Sequence, residues 1–185
     1  MRYRTHLQSL VEATLCAALA MILSLIPDIA GWLSPAWGVF PILVVALRRG
    51  TRYSFLASFL WGGLHFVLGH VYYLSFWQVI LEYLIAFVVV GSSGIFSPIF
   101  QYYLNKGQRT KAFWQGLLAL LTAVGLKYFC HFIAGVIFWS DYAGHLSPMI
   151  YSLVINGFAG VLTCIILGCL LAISLYAYPK IFKVS

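Results

Sequence analysis

The feature that most constrains this chain is the stretch from Met149 to Tyr176, which contains no Asp, Glu, Lys or Arg. About 20 apolar residues are enough for a helix to cross the hydrocarbon core of a bilayer. Similar stretches fill the rest of the sequence, and only 8% of its residues are charged, against about a quarter in soluble domains. An ordinary soluble protein is therefore excluded. The 185 residues are predicted to form a single transmembrane domain, 1–185, with no room for a separate soluble unit.

The sequence divides into six apolar segments, which predict an all-α integral membrane protein with six transmembrane helices. The second segment is too short for an untilted span, so we expect it to be bent or preceded by extended chain. The segments run from about Gln8 to Ile26, Ala36 to Leu47, Tyr53 to Leu68, Phe76 to Phe100, Ala112 to Phe138 and Met149 to Tyr176.

The basic residues predict the orientation of these helices. Ten of the 11 Lys and Arg residues fall on one side of a six-helix arrangement, and the loops on the other side carry Asp28 and Asp141 instead. Cytoplasmic loops collect Lys and Arg, so both termini are predicted to be cytoplasmic. The ten residues are Arg2, Arg4, Arg48, Arg49, Arg52, Lys106, Arg109, Lys111, Lys180 and Lys183.

Two charged residues lie deep inside apolar segments, Lys127 in the fifth and Glu82 in the fourth. A charge at the centre of a transmembrane helix costs about 2.5–3.5 kcal/mol on insertion scales and usually marks a functional site. At 1.5 Å per residue, we expect Glu82, His131 and Asn156 about 10 Å below the outer ends of their helices. Lys127 lies about 16 Å in, but its long stem can carry the ammonium outward. The sequence therefore predicts a polar pocket in the outer half of the membrane. Glu12 is expected to reach Arg4 or the interface, with a structural role.

Aromatic residues crowd the same outer half. About half of them are expected to belong to the interfacial belt of Trp and Tyr, and the others to form the walls of the pocket. A carboxylate surrounded by aromatic faces suits a cationic, planar ligand through charge pairing and cation–π attraction. The residues considered for these walls include Trp32, Trp61, Tyr72, Tyr83, Trp139 and Tyr151.

No motif for chemistry accompanies this pocket. The P-loop, zinc-hydrolase and serine-hydrolase signatures are absent from the sequence, so we predict no catalytic residues, no resident cofactor and no metal site. The four cysteines lie in apolar stretches without a CxxC pair and are expected to be packing residues. A pocket without an energy source indicates a binding subunit that depends on a partner.

Small residues recur along one face of the first helix, at Ala13, Cys16, Ala17 and Ala20. Such faces let helices approach closely. The pattern has two interpretations, internal packing or an outward surface that docks another membrane protein, and the sequence does not choose between them.

Many short motifs along the chain resemble the thiamine-specific substrate-binding subunit (S component) of energy-coupling factor (ECF) transporters. Each motif is weak alone, and their occurrence in order over nearly the whole chain makes the resemblance specific. The motifs are Ser24-Leu25-Ile26-Pro27, Gly31-Trp32, Leu47-Arg48-Arg49-Gly50, Leu60-Trp61-Gly62, Gly69-His70 with Tyr72, Leu81-Glu82-Tyr83-Leu84, Leu126-Lys127-Tyr128-Phe129, His131-Phe132-Ile133-Ala134-Gly135, Phe138-Trp139-Ser140, Tyr151-Ser152-Leu153 and Asn156-Gly157.

The resemblance implies capture of thiamine near the outer face, without chemistry. It implies that Glu82 engages the positive thiazolium and the aminopyrimidine end of the ligand, and that Lys127 holds Glu82 in place and ionised. Asn156 and Tyr151 are expected to hydrogen-bond the aminopyrimidine, on which Trp139 stacks.

The remaining contacts implied by the resemblance involve Trp32 and His131, which would sandwich the thiazolium, and Tyr83, near the hydroxyethyl tail. The loop from Pro27 to Trp37 is expected to act as the lid.

The resemblance also implies partners. Ala13 and Ala17 would contact a membrane coupling subunit, which joins two cytoplasmic ATPases that consume the ATP, so the chain itself is not an enzyme. We expect a multi-pass protein in the plasma membrane of a prokaryote, surrounded by lipid and without nucleic-acid partners. The alternatives are an S component for another vitamin or a thiamine precursor, and a small proton-coupled transporter or channel.

Overall fold

The structure is a computed structural model that describes residues 2–29 and 33–184, with side chains from His6 onward. Within these residues the chain is helical and contains no strands, which confirms the all-α class. It forms six main helical segments, close to the predicted ones. They are α1 (Arg2–Ser24), α2 (Val39–Arg49), α3 (Thr51–Val67), α4 (Phe76–Asn105), α5 (Arg109–Phe138) and α6 (Pro148–Ala177).

Four of these segments have the length and apolar composition of independent membrane spans in the described part of the chain, namely α1 from His6, α4, α5 and α6. The other two are shorter, with 11 residues in α2 and 17 in α3. At 1.5 Å per residue, α2 is only about 16 Å long. The chain reverses between α2 and α3 at Gly50, whose φ of +78° is unfavourable for a residue with a side chain. The predicted short second segment is therefore a short helix that turns directly into the third.

Helix α4 departs from regular α-helical geometry twice along its length. Residues Ile80–Ile85 form a π-helical turn, and residues Val89–Phe96 wind into the tighter 3₁₀ form. The 3₁₀ part lies so close to α3 that a Cβ on Gly91 would come within 2.6 Å of the Phe55 Cα. π-helical turns are rare and occur frequently at functional sites, and this one contains Glu82.

The small-residue face of α1 is turned toward the protein interior. Ala13 is 0% exposed and Ala17 is 1% exposed, whereas Leu15 and Ile22 on the opposite face are largely exposed. In this structure the two alanines allow α1 to pack closely inside the bundle, and they are covered on all sides. The burial favours the internal-packing interpretation of this face, and contact of Ala13 and Ala17 with a partner subunit stays a prediction.

One end of the bundle, here called the basic end, carries the start of α1, the α2–α3 turn, the α4–α5 loop and the end of α6. At this end both arginines of α2 hold the Glu12 carboxylate, with N–O distances of 2.8 Å from Arg48 Nη2 and 2.6 Å from Arg49 Nη2. Glu12 is therefore structural, with its described partners on α2, while the side chain of Arg4 lies outside the described residues. Arg48 also donates to the carbonyl of Ile181, which fastens the chain after α6 to the same cluster.

Candidate functional site

The candidate site is built around Glu82, which is buried near the opposite end of the bundle, here called the outer end. Its Oε1 accepts a hydrogen bond from the indole Nε1 of Trp139, at 3.0 Å. Its Oε2 accepts one from the side-chain amide of Gln78. Trp139 directly follows α5, so Glu82 joins the outer parts of α4 and α5. Two hydrogen bonds from neutral donors stabilise a buried carboxylate that would otherwise be costly to desolvate.

Gln78 fixes the direction of this carboxylate. Its side chain is 0% exposed, and its Oε1 accepts from the backbone N–H of Leu74 at 3.1 Å. Because the amide oxygen is occupied in this way, the amide NH₂ must point toward Glu82, four residues further along α4. The sequence analysis did not identify Gln78. The available signal was its spacing, because residues four apart share a helix face.

His131 and Lys127 extend the polar cluster along α5. The Nδ1 of His131 lies 3.8 Å from Glu82 Oε1, and its Nε2 lies 2.7 Å from Lys127 Nζ. A lysine ammonium can only donate, so a charged Lys127 requires Nε2 to accept, which leaves the ring hydrogen on Nδ1, facing Glu82. Within the described part of the chain Lys127 forms no ion pair with Glu82. His131 lies between the two charges, so any support that Lys127 gives to Glu82 passes through the imidazole in this structure.

Aromatic rings form the floor below Lys127. Its ammonium lies 4.0 Å from the centroid of the Phe87 ring and 5.7 Å from that of Trp61. Such cation–π contacts partly offset the cost of burying the charge. Trp61 is 1% exposed, and its Nε1 donates to Ser24 Oγ at 2.9 Å. The structure therefore places Trp61 beneath the polar cluster, where its only described contact with the cluster is the one with the Lys127 ammonium.

Helix α6 contributes Asn156 to the cluster. The amide nitrogen of Asn156 donates to the carbonyl of Ser152 at 3.1 Å and lies 3.4 Å from the carbonyl of His131. This proximity depends on Gly135, where a Cβ would lie 2.2 Å from Ser152 Oγ. Since the amide nitrogen is occupied by protein carbonyls, the amide oxygen is the part of Asn156 that can serve a ligand. Tyr151 is half-buried in the first turn of α6, about 7.5 Å outward of Asn156 along the helix axis.

Three tyrosines and Trp139 cover the cluster at the outer end. The Trp139 ring contacts those of Tyr72 and Tyr142 in tilted geometry, with centroid distances of 5.1 and 5.2 Å. The two tyrosine hydroxyls lie 3.3 Å apart, and the hydroxyl of Tyr83 accepts from the backbone N–H of Tyr72 at 3.0 Å. The α3–α4 and α5–α6 loops thus meet above Glu82.

The α1–α2 loop approaches the site from the side of α5 and α6. The predicted lid residue Trp32 lies outside the described residues. Beyond it, the carbonyl of Ser34 accepts from the Tyr128 hydroxyl at 2.6 Å, and the N–H of Ala36 donates to Thr163 Oγ1 at 3.1 Å. The second half of the predicted lid is therefore attached to α5 at Tyr128 and to α6 at Thr163.

This arrangement can bind and orient a ligand. Glu82 provides a buried negative charge, the aromatic rings provide flat apolar faces, and Asn156 provides an amide oxygen, which together suit a planar cation with hydrogen-bond donors. Each carboxylate oxygen of Glu82 accepts one hydrogen bond from the protein and has a second lone pair, so a ligand can engage Glu82 while Trp139 and Gln78 stay in place. No group of three or more His, Cys, Asp or Glu side chains placed to hold a metal occurs among the described residues.

Comparisons with known proteins agree with this architecture. A protein-family model described as "Thiamine transporter protein (Thia_YuaJ)" matches residues 10–183. A curated thiamine transporter ThiT of Lacticaseibacillus paracasei is 36% identical over 98% of this chain and 94% of its own length. ThiT of Bacillus subtilis is 25% identical over 99% of this chain and 98% of its own length. A solved structure of ThiT from Listeria monocytogenes, 36% identical, superposes with a TM-score of 0.92 over 97% of this chain and 99% of that one.

Proposed function

Since the chain belongs to the thiamine transporter protein (Thia_YuaJ) family, we propose that it is the thiamine-binding S component of an ECF-type vitamin importer. In this role the single transmembrane domain captures thiamine from the outer side. Release into the cytoplasm depends on a membrane coupling subunit and two ATPases. The proposed location is the plasma membrane of a prokaryote, with the basic end cytoplasmic, in keeping with the bias of cytoplasmic loops toward Lys and Arg.

The observation that carries this proposal is the buried Glu82 carboxylate under a cover of aromatic rings. Thiamine combines a permanently positive thiazolium ring with an aminopyrimidine ring, so it offers one cation and two flat faces. Glu82 pairs with the positive charge, and Trp139 with Tyr72 provides ring faces for stacking. Asn156 offers its amide oxygen to the amino group of the pyrimidine, and His131 positions Glu82.

Titration of the detergent-purified protein with thiamine, followed by tryptophan fluorescence, tests the proposal. Trp139 adjoins Glu82, so saturable quenching is expected at submicromolar thiamine. Trp139→Phe should remove most of the quenching. Trp114→Phe, at the basic end, should leave it unchanged and serves as the matched control.

The same titration with Glu82→Gln tests the charge. This variant keeps the size of the side chain and removes its charge, so thiamine binding is expected to weaken by at least tenfold, a loss of about 1.4 kcal/mol or more for a hydrogen-bonded buried charge. Wild-type affinity in Glu82→Gln would remove this residue from the site. A second titration uses the separate aminopyrimidine and thiazole parts of thiamine. Quenching by one of these compounds, with none by thiamine itself, would show that the chain binds a thiamine precursor instead.

A further inference from the structure

The structure contains a second cleft, at the basic end and remote from Glu82. It is a shallow, open cleft of about 610 Å³ between the α4–α5 loop and the last turn of α6. Its lining consists of Gly107, Gln108, Arg109, Thr110, Lys111 and Tyr176. None of these residues takes part in the proposed capture of thiamine.

The cleft is basic, and no acidic side chain in the described part of the chain forms an ion pair with it. The chain has four acidic side chains, and none is free to pair with this loop. Glu12 is held by the two arginines of α2, and Glu82 lies in the outer site. Asp28 and Asp141 lie in the loops of the outer end, so the positive charge of the cleft is left for an external anion.

The cations around the cleft are positioned by aromatic and backbone groups. Lys106 donates to the Tyr102 hydroxyl at 2.6 Å, and Lys111 lies 5.5 Å from the centroid of the Tyr103 ring. Arg109 donates from its Nη1 to the carbonyl of Tyr176 at 3.1 Å. An arginine has five N–H donors, so most of those on Arg109 remain available to the cleft.

The surroundings of the cleft indicate an anion that belongs to the membrane. One helical turn from Thr110 on α5 is Trp114, and one turn from Tyr176 on α6 is Ile173, both largely exposed. Trp and Tyr side chains concentrate at the headgroup level of a bilayer. A ligand whose phosphate occupied the cleft could therefore lay acyl chains along α5 and α6. Basic pockets between transmembrane helices are typical headgroup sites for anionic lipids.

We propose that this cleft binds the phosphodiester headgroup of an anionic membrane lipid. Arg109 and Lys111 contact the phosphate, and the acyl chains run beside Trp114 and Ile173. The hydroxyls of Thr110 and Tyr176 lie 3.2 Å apart and bond to each other, so this pair has one O–H left to donate to a phosphate oxygen. The site is independent of thiamine capture and lies at the opposite end of the molecule.

Native mass spectrometry of the detergent-purified full chain, titrated with dioctanoyl phosphatidylglycerol, tests this site. The wild-type protein should retain one lipid more tightly than it retains dioctanoyl phosphatidylcholine. The double variant Arg109→Gln/Lys111→Gln should bind phosphatidylglycerol about 30-fold more weakly, from about 1 kcal/mol for each basic residue near an anionic lipid. The matched control, Arg52→Gln/Lys183→Gln, removes two exposed charges from the same end outside the cleft and should bind as the wild type does.

Several outcomes would overturn the proposal. Equal retention of the two lipids, or an equal loss in the cleft and control variants, would show that general electrostatic attraction accounts for the binding. Displacement of the lipid by millimolar inorganic phosphate or glycerol 3-phosphate at equal strength would identify a soluble phosphate as the ligand. Thiamine titration of each variant checks that it is folded. The substitutions lie at the end opposite to Glu82, so a folded variant should keep wild-type thiamine affinity.

Discussion

Gln78 is the residue that most directly determines how the Glu82 carboxylate is held. In Gln78→Leu a side chain of similar size replaces the amide, so the hydrogen bond to Glu82 is lost without opening a cavity. A hydrogen bond to a charged group contributes about 1.5–3 kcal/mol. We expect thiamine affinity, measured by fluorescence titration, to fall by at least tenfold.

Gln101→Leu is the control for this change. Gln101 is also buried in part and donates to the backbone carbonyls of Leu47 and Phe182, but at the basic end. The substitution should reduce thermal stability while leaving thiamine affinity unchanged. Wild-type affinity in Gln78→Leu would show that Gln78 does not orient the ligand-binding carboxylate.

The order of the polar cluster, Glu82–His131–Lys127, predicts which residues are energetically coupled. In double-mutant cycles based on thiamine affinity, Lys127→Met and His131→Gln should couple strongly, because their side chains share a 2.7 Å hydrogen bond. Coupling between residues in direct contact reaches 0.5–3 kcal/mol. The pair Lys127→Met and Glu82→Gln should couple more weakly, since the imidazole separates them. A stronger coupling for the second pair would indicate that Lys127 contacts Glu82 directly in the bound state.

The sequence could indicate some residues of this cluster and not others. Glu82 and Lys127 were identifiable because a charge within an apolar segment is costly and needs an explanation. Gln78 carries no charge and lies close to a segment end, so hydropathy does not distinguish it. The contact between Lys127 and His131 depends on how a flexible side chain is placed, which helix spacing alone does not determine.

At the scale of helices, the sequence predicted the six segments correctly, but it predicted the residues at which they begin and end less accurately. The sequence placed the end of the fourth segment at Phe100 and the start of the fifth at Ala112, whereas α4 continues to Asn105 and α5 begins at Arg109. Hydropathy detects only the part within hydrocarbon, and helices continue into the interface where polar side chains reach water. The π-helical turn was not predictable, because a smooth apolar run carries no signal for it.

The buried face of α1 predicts the effect of enlarging its alanines. In Ala17→Leu the added atoms enter a filled interior, and such overpacking typically costs about 1–3 kcal/mol. We expect a lower unfolding temperature in detergent and, in consequence, less protein able to bind thiamine. Ala18→Leu changes the adjacent exposed position and should have little effect on either quantity.

A different result would restore the docking interpretation of this face. If Ala17→Leu kept wild-type stability and thiamine affinity but lost uptake in cells that contain the coupling module, then α1 would have to present Ala17 to a partner. That outcome would require a rearrangement of α1, because Ala17 is covered in the present structure.

At the scale of the whole molecule, the two ends of the bundle differ in the contacts that they contain. The outer end holds a polar cluster under loops, while the basic end joins α1, α2, α4 and the chain after α6 through Glu12, Arg48 and Gln101. The distribution of Lys and Arg predicted which segment ends lie together. It could not predict that the C-terminal segment folds back into the bundle, because Phe182 follows α6 without any distinctive pattern.

Phe182 therefore provides a test of whether the two ends act separately. Its side chain is 0% exposed and meets the Phe100 ring edge-on at a centroid distance of 5.5 Å. Phe182→Ala should cost about 3–5 kcal/mol, which corresponds to a fall in unfolding temperature on the order of 10 °C for a chain of this size. Val184→Ala, at an exposed position two residues later, should change the unfolding temperature little. Below the transition, both variants should bind thiamine as the wild type does, because the substitutions lie at the end opposite to Glu82. A loss of affinity in Phe182→Ala below its unfolding temperature would mean that the basic end controls the geometry of the thiamine site through α4.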